Sequence, residues 1–322
     1  MAVVGAGEHG QRHARLFREM LGAELVGIYD LRPDRRERVA ADLGVRAFPS
    51  LPAALAAAQA VTIVIPTTQH AAVARQALVN GVDVLLEKPV ARTLEEADEL
   101  IRISAERGRI LQVGHVERFN AGVTAAKPIT HHPLFFEVHR LGVFSPRSLD
   151  VDVVFDLMIH DLDLILWLVD QRVGDVRAVG LPVLSDKVDI ANARVEFENG
   201  AVANVTASRV STEKIRKFRY FQADQYVSID FTRQDALVIR VSPGASPPRL
   251  EFRRLGGEPS EPLRAELESF VRSVVTRQAP LVGGREGREA LALALRVMES
   301  IERHAAQVHV SLKQPSGQTG ES

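Results

Sequence analysis

The 322-residue chain sets 40 Lys and Arg against 41 Asp and Glu, a formal charge of -1, so no overall field draws it to nucleic acid or an anionic membrane, and a small-molecule partner is favoured. It has no cysteine, which excludes disulfides, thiolate metal centres, iron–sulfur clusters and cysteine nucleophiles together and fits a reducing cytoplasm. Its length predicts two domains, since single cores rarely grow past roughly 250 residues; no apolar run approaches the roughly 20 residues of a membrane span, and no secretory signal pattern opens the chain.

The first 120 residues alternate short apolar runs with amphipathic segments. Strands are expected at 2–4, 24–29, 60–65, 83–86 and 110–113, and helices at 10–21, 33–43, 51–58, 70–80 and 93–107. Five strands with intervening helices predict a doubly wound α/β domain over 1–120. From about Pro128 the texture changes to alternating runs such as LFFEVHRL, ARVEFENGAVANVTAS, FRYFQADQYVSIDF and ALVIRVS, and Glu198-Asn199-Gly200 is a hairpin signal. These predict an α+β domain over 121–310 with a large, mainly antiparallel open sheet. Within it lie helical stretches at 153–169, 261–277 and 285–306, and the tail 311–322 has the composition of a disordered segment.

Near the N-terminus Gly5-x-Gly7-x-x-Gly10, with Glu8 and His9 between the glycines, follows an apolar run and precedes a helix. Such glycines permit a tight turn and close approach of backbone to a pyrophosphate, which the helix N-terminus then binds through its N–H groups. Asp30 lies at the end of the second strand, where a carboxylate accepts from ribose hydroxyls and repels a 2'-phosphate, so NAD is expected over NADP; Arg32 and Arg35 nearby weaken that preference. The first run, MAVV, is short for such a strand and leaves room for a longer native N-terminus. Ligands of an open α/β sheet sit beyond the carboxyl ends of the strands. That places Pro66, Thr67 and His70 after the third strand, and Glu87 and Lys88 after the fourth, at the cofactor. Lys88 taken alone reads as a surface residue of a Glu-Lys-Pro turn; beside a cationic nicotinamide it becomes an acid–base candidate.

The stretch VVFDLMIHDLDLILWLV at 153–169 is apolar but carries Asp156, His160, Asp161 and Asp163. On an α-helical wheel Asp156, His160, Asp163 and Trp167 share one face, while Asp161 points away and is expected at solvent or an interface. The stripe fits a cleft lining, an ordinary exposed face, or a His-carboxylate metal pair that lacks a third ligand, and no metal site is assigned. His131 and His132 are expected in a loop, His304 and His309 at the surface.

Together the glycine loop with His13, the Glu87-Lys88-Pro89 strand end and the Asp156-x-x-x-His160 segment resemble the glucose-fructose oxidoreductase, inositol dehydrogenase and rhizopine catabolism superfamily (Gfo/Idh/MocA), over nearly the whole chain. The resemblance implies an NAD-dependent oxidoreductase acting on a secondary hydroxyl of a sugar or cyclitol, a Lys-Pro bond that is often cis, and Lys88, Asp156 and His160 at the reacting carbon. His160 or Lys88 would be the base, and Asp156 would orient the imidazole. The segments 114–120 and 156–163 look most like the nucleotide-sugar branch. That likeness implies oxidation of C3 of UDP-N-acetylglucosamine to a 3-keto sugar, which an aminotransferase then takes toward lipid A or a related glycan. Arg118 and Arg147 are the diphosphate candidates, Asn120 a further substrate contact, and Arg140 and Arg209 weaker ones. Association through the open sheet into a homodimer or homotetramer is also implied. A dehydrogenase of a free sugar or inositol, and a non-catalytic NAD sensor, stay open as alternatives.

Overall fold

A computed structural model describes residues 1–144, 151–242, 249–256 and 260–308. Arg147 and the 311–322 tail lie outside the described residues. The chain divides into two compact units, Met1–Phe119 with Ser260–Leu291, and Asn120–Pro259 with Ala292–Ser322. Residues 260–291, which chain order alone assigns to the C-terminal half, thus return to the first unit.

The first unit holds strands β1 (Ala2–Val4), β2 (Gly27–Tyr29), β3 (Arg46–Ala47), β4 (Ala60–Ile63), β5 (Asp83–Glu87) and β6 (Leu111–Gly114), and helices α1 (Glu8–Glu19), α2 (Pro33–Leu43), α3 (Leu51–Ala57), α4 (His70–Val79) and α5 (Leu94–Glu106). The sheet is parallel with order β3-β2-β1-β4-β5-β6, one strand more than expected. The added β3 has two residues, too few for any apolar period to reveal. β1, β4 and most of β5 are buried, which is why they read as unbroken apolar runs. Ser50 and Thr93 cap α3 and α5 by accepting from Ala53 N and Glu96 N. The later helix of this unit, Pro262–Thr276, packs its Leu267 and Phe270 into the core around Phe17 and Ile28.

The second unit contains α6 (Ala121–Ala126), β7 (Phe135–Val143), α7 (Ile159–Val169), β8 (Val173–Leu181), β9 (Ile190–Phe197), β10 (Val202–Ser211), β11 (Ile215–Phe221), β12 (Gln225–Asp230), β13 (Asp235–Val241) and β14 (Leu250–Leu255). The helix Pro262–Thr276 of the first unit is α8, and α9 (Gly284–Gln307) follows it. The second unit's sheet runs β14-β13-β12-β11-β7-β10-β9-β8, and every neighbour pair is antiparallel except β7 with β10. Alternate residues such as Phe136, Val138, Ala203, Val205, Phe218 and Tyr220 form the buried face. The hairpin signal marks a real corner between β9 and β10, where Gly200 takes φ 84 and Asn199 Oδ1 accepts from Ala201 N. β14 is exposed along nearly its whole length, so no alternation announces it.

Candidate active site

The glycine loop leaves β1 and enters α1 two residues before the position read from the sequence, so Glu8 and His9 belong to the first helical turn. Gly5 has φ 99, and a Cβ there would lie 2.1 Å from Val64 O; a Cβ on Gly10 would lie 1.9 Å from Gly5 O. Both positions therefore require glycine. A Cβ on Gly7 would meet nothing within 4 Å, so open space faces the helix N-terminus where a pyrophosphate binds in such loops.

Asp30 is held by two backbone donors, with Ala6 N on Oδ2 at 2.7 Å and Arg32 N on Oδ1 at 2.8 Å. Each carboxylate oxygen retains acceptor capacity beyond these bonds. Arg35 Nη1 stands 3.7 Å from Oδ2, close enough to soften the repulsion of a 2'-phosphate. A cavity of about 430 Å³ is lined by Gly5, Gly7, Asp30, Arg35, Ile65 and Pro66 among others, so the predicted phosphate loop, ribose acid and strand-end proline share one space. Thr67 begins the adjoining 3-10 turn, Thr67–Gln69.

At the end of β5 the Lys88-Pro89 bond is cis, and Lys88 is half-buried. Glu87 Oε1 lies 3.1 Å from His9 Nε2 and 3.3 Å from His13 Nε2, while Lys88 N donates to Oε2 at 3.3 Å. A Cβ on Gly114 would sit 3.0 Å from both Glu87 oxygens, so glycine makes room for the carboxylate. Burial works against ionisation of Glu87, but hydrogen bonds from His13 and His9 overcome it and hold the carboxyl well below its usual range. His13 is fully buried, and burial pushes its pKa down against the pull of Glu87. Its Nδ1 lies 3.0 Å from Thr62 Oγ1 on β4. The sequence reading used His13 only as part of a motif and did not see this network, although His9-x-x-x-His13 places both rings on one side of α1.

His70, expected at the cofactor, braces two strand ends. It is buried, with Nδ1 2.8 Å from Pro89 O and Nε2 2.9 Å from Ile65 O, which ties the ends of two strands together. Burial lowers its pKa, so the neutral ring donates to one of these carbonyls at a time.

In the second unit the 153–169 segment is not a single α-helix. Val154–Met158 forms a π-turn in which Ile159 N bonds Val154 O, five residues back. The wide turn contains Asp156, so the α-helical wheel does not hold across it. From α7 onward, His160 and Trp167 are half-buried and Asp163 is buried. Asp161 is corrected from solvent or interface residue to core: it is 1 % exposed and takes two 2.7 Å hydrogen bonds from Arg140 Nε and Nη2. The pair is bidentate and desolvated, which explains how so apolar a helix tolerates the charge.

That pairing also removes Arg140 from the diphosphate candidates. Arg209 goes with it, since its guanidinium is buried among Val151 O, Val188 O and the Asp189 carboxylate. Asn120, named as a further substrate contact, serves as N-cap of α6: Oδ1 accepts from Gly122 N at 3.0 Å and Nδ2 donates to Phe231 O at 3.1 Å. Arg118 lies in the 3-10 turn Val116–Phe119 and is a buried side chain, 3 % exposed.

Comparison with known proteins adds an independent line. The family model described as "Oxidoreductase family, NAD-binding Rossmann fold" matches residues 1–115, and "GFO/IDH/MocA C-terminal domain" matches residues 130–232. UDP-N-acetylglucosamine 3-dehydrogenase of Acidithiobacillus ferrooxidans is 40% identical over 303 residues, covering 93% of this chain and 96% of that protein. Its solved structure superposes with a TM-score of 0.88 over 94% of this chain and 97% of that one. The scyllo-inositol 2-dehydrogenase (NAD(+)) of Bacillus subtilis is 31% identical over 229 residues, 65% of this chain and 67% of that protein. A levoglucosan dehydrogenase solved in complex with NADH and L-sorbose shares the fold, with a TM-score of 0.84 at 19% identity over 94% of this chain and 96% of that one.

Proposed function

The chain belongs to the Gfo/Idh/MocA oxidoreductase family, and from that premise we propose that it oxidises C3 of UDP-N-acetylglucosamine to the 3-keto sugar with NAD. It is an NAD-dependent oxidoreductase acting on a CH–OH group. The observation that carries the substrate is full-length identity of 40% with an enzyme named for that reaction.

The residues present fit the dinucleotide. Gly7 leaves its side of the loop open, the first turn of α1 supplies N–H donors, and Asp30 is fixed by backbone donors with oxygens left to accept from ribose hydroxyls. NAD, when bound, supplies the hydride acceptor. The protein's part is the proton. In this reading Lys88 or His160 takes the proton of the C3 hydroxyl, and Asp156 orients the imidazole. Both readings of the base draw support from the resemblance of Glu87-Lys88-Pro89 and Asp156-x-x-x-His160 to the family pattern. The 3-keto product suits an aminotransferase that installs a 3-amino group, in a cytoplasmic route to lipid A or a related glycan, and the working form in this reading is a homodimer or homotetramer. Arg118 remains a diphosphate candidate, as does Arg147.

The test is a screen of UDP-sugars, free hexoses and inositols with NAD, followed by absorbance of the reduced nicotinamide. Turnover of UDP-N-acetylglucosamine is expected. Turnover of inositol without any nucleotide sugar would transfer the chain to the free-cyclitol reading, and tight NAD binding with no turnover would make it a sensor. On the active substrate, Lys88→Ala should keep NAD binding and lose at least about 100-fold in turnover, the lower range for a positioned acid–base group.

A further inference from the structure

Among the described residues, one group of His and acidic side chains brings three donor atoms from three residues within reach of a single ion: His9 Nε2, His13 Nε2 and Glu87 Oε1. Their mutual separations are 3.1 Å for His9 to Glu87, 3.3 Å for His13 to Glu87 and 3.3 Å for His9 to His13. The three atoms therefore form a nearly equilateral triangle. The edge of a tetrahedron around zinc is about 1.6 times the metal–ligand bond, or about 3.3–3.4 Å for bonds of about 2.0–2.1 Å. An octahedral face with the same bonds has edges of about 3.0 Å. The observed triangle lies nearer the tetrahedral face.

We infer that His9, His13 and Glu87 form a binding site for one divalent transition-metal ion of the zinc class, independent of the dehydrogenase reading. Two imidazoles and one carboxylate make a borderline donor set that suits zinc or cobalt and excludes calcium and magnesium, which take oxygen ligands. Spacing at i and i+4 on α1 brings the two imidazoles to one side of the helix, and the end of β5 delivers the carboxylate. The surroundings are those of a built ligand set. Thr62 Oγ1, 3.0 Å from His13 Nδ1, can accept the Nδ1 proton and so present Nε2 as a lone pair to the ion. Lys88 N fixes the other Glu87 oxygen, and the glycine at position 114 admits the carboxylate. His9 is 45% exposed, so an ion can reach the triangle from solvent.

Hydrogen bonding alone also accounts for the triangle if both Nε2–H groups donate to Oε1, and the experiment separates the two. Chelator-treated full-length protein is titrated with zinc chloride by calorimetry and with cobalt(II) by visible absorption, whose intensity distinguishes tetrahedral from octahedral coordination. One ion per chain with a tetrahedral cobalt spectrum is expected. His9→Ala, which removes an exposed side chain, should still fold and should weaken zinc binding at least about 100-fold, and Thr62→Val about 10-fold. His132→Ala, at an exposed histidine elsewhere, should change nothing. Absence of stoichiometric binding, binding that survives His9→Ala, or equal loss in His132→Ala would each overturn the site.

Discussion

Glu87 at the end of β5 and Asp161 on α7 meet the same difficulty, a carboxylate taken largely out of water, in opposite ways. Asp161 is closed off by a bidentate arginine with both bonds at 2.7 Å, a cation that is not deprotonated in proteins. Glu87 is held by two imidazoles, one exposed and one buried, by a backbone N–H and by a glycine that makes room for it. The first arrangement is rigid and inert. The second is built from groups that can change tautomer or partner, and it adjoins the glycine loop and Lys88. One buried charge here has a permanent counter-charge, and the other has partners that can exchange donor and acceptor roles.

The contrast can be tested by breaking each arrangement, and the largest effect should come from the rigid one. Arg140→Ala strands Asp161 in the core and should cost about 3–5 kcal/mol in urea unfolding, whereas replacing both partners by apolar residues of similar volume should recover most of the loss. A double variant as unstable as the single one would refute this account of α7. Next is an acid buried beside a neutral hydroxyl. Burial pushes the Tyr220 hydroxyl from 10.0 up to about 12, against the opposing hydrogen bond with Thr130. Below pH 10 both folded and unfolded states keep this proton; between about 10 and 12 only the folded state does. Stability is therefore fully present below the unfolded pKa and falls as pH rises through that window, by up to about 3 kcal/mol for two pH units. Tyr220→Phe should flatten that alkaline decline, and an unchanged decline would remove Tyr220 as its source. The smallest effect belongs to the adaptable network. Glu87→Gln keeps the side-chain shape and should cost only about 1–2 kcal/mol, since its imidazole partners can exchange donor and acceptor roles. A loss as large as that of Arg140→Ala would erase the distinction between the two regions.

Features with local causes were legible in the sequence. The βα alternation, the glycine loop, Asp30 and the β9–β10 corner each depend on residues a few positions apart, and all four appear where expected. Asp156 and His160 were legible as an interruption of an apolar segment, but the π-turn was not, because a wheel at fixed angular spacing assumes the turn it is meant to test. Several polar residues named as ligand contacts have protein partners that periodicity does not announce. His70 is engaged by the carbonyls of Ile65 and Pro89, Asn120 by Gly122 N and Phe231 O, and Arg209 by Asp189 and two carbonyls.

By itself the sequence determined the fold class, the loop that must be glycine and the family pattern of Lys88, Asp156 and His160, because periodicity and steric need act over short stretches of chain. Only the tertiary structure decided that Arg140 belongs to Asp161, that His13 lies under Glu87, and that 260–291 packs with the first unit. Those outcomes depend on which side chains meet across a sheet or between elements tens to hundreds of residues apart, and a buried charge is satisfied by whatever partner the fold brings to it.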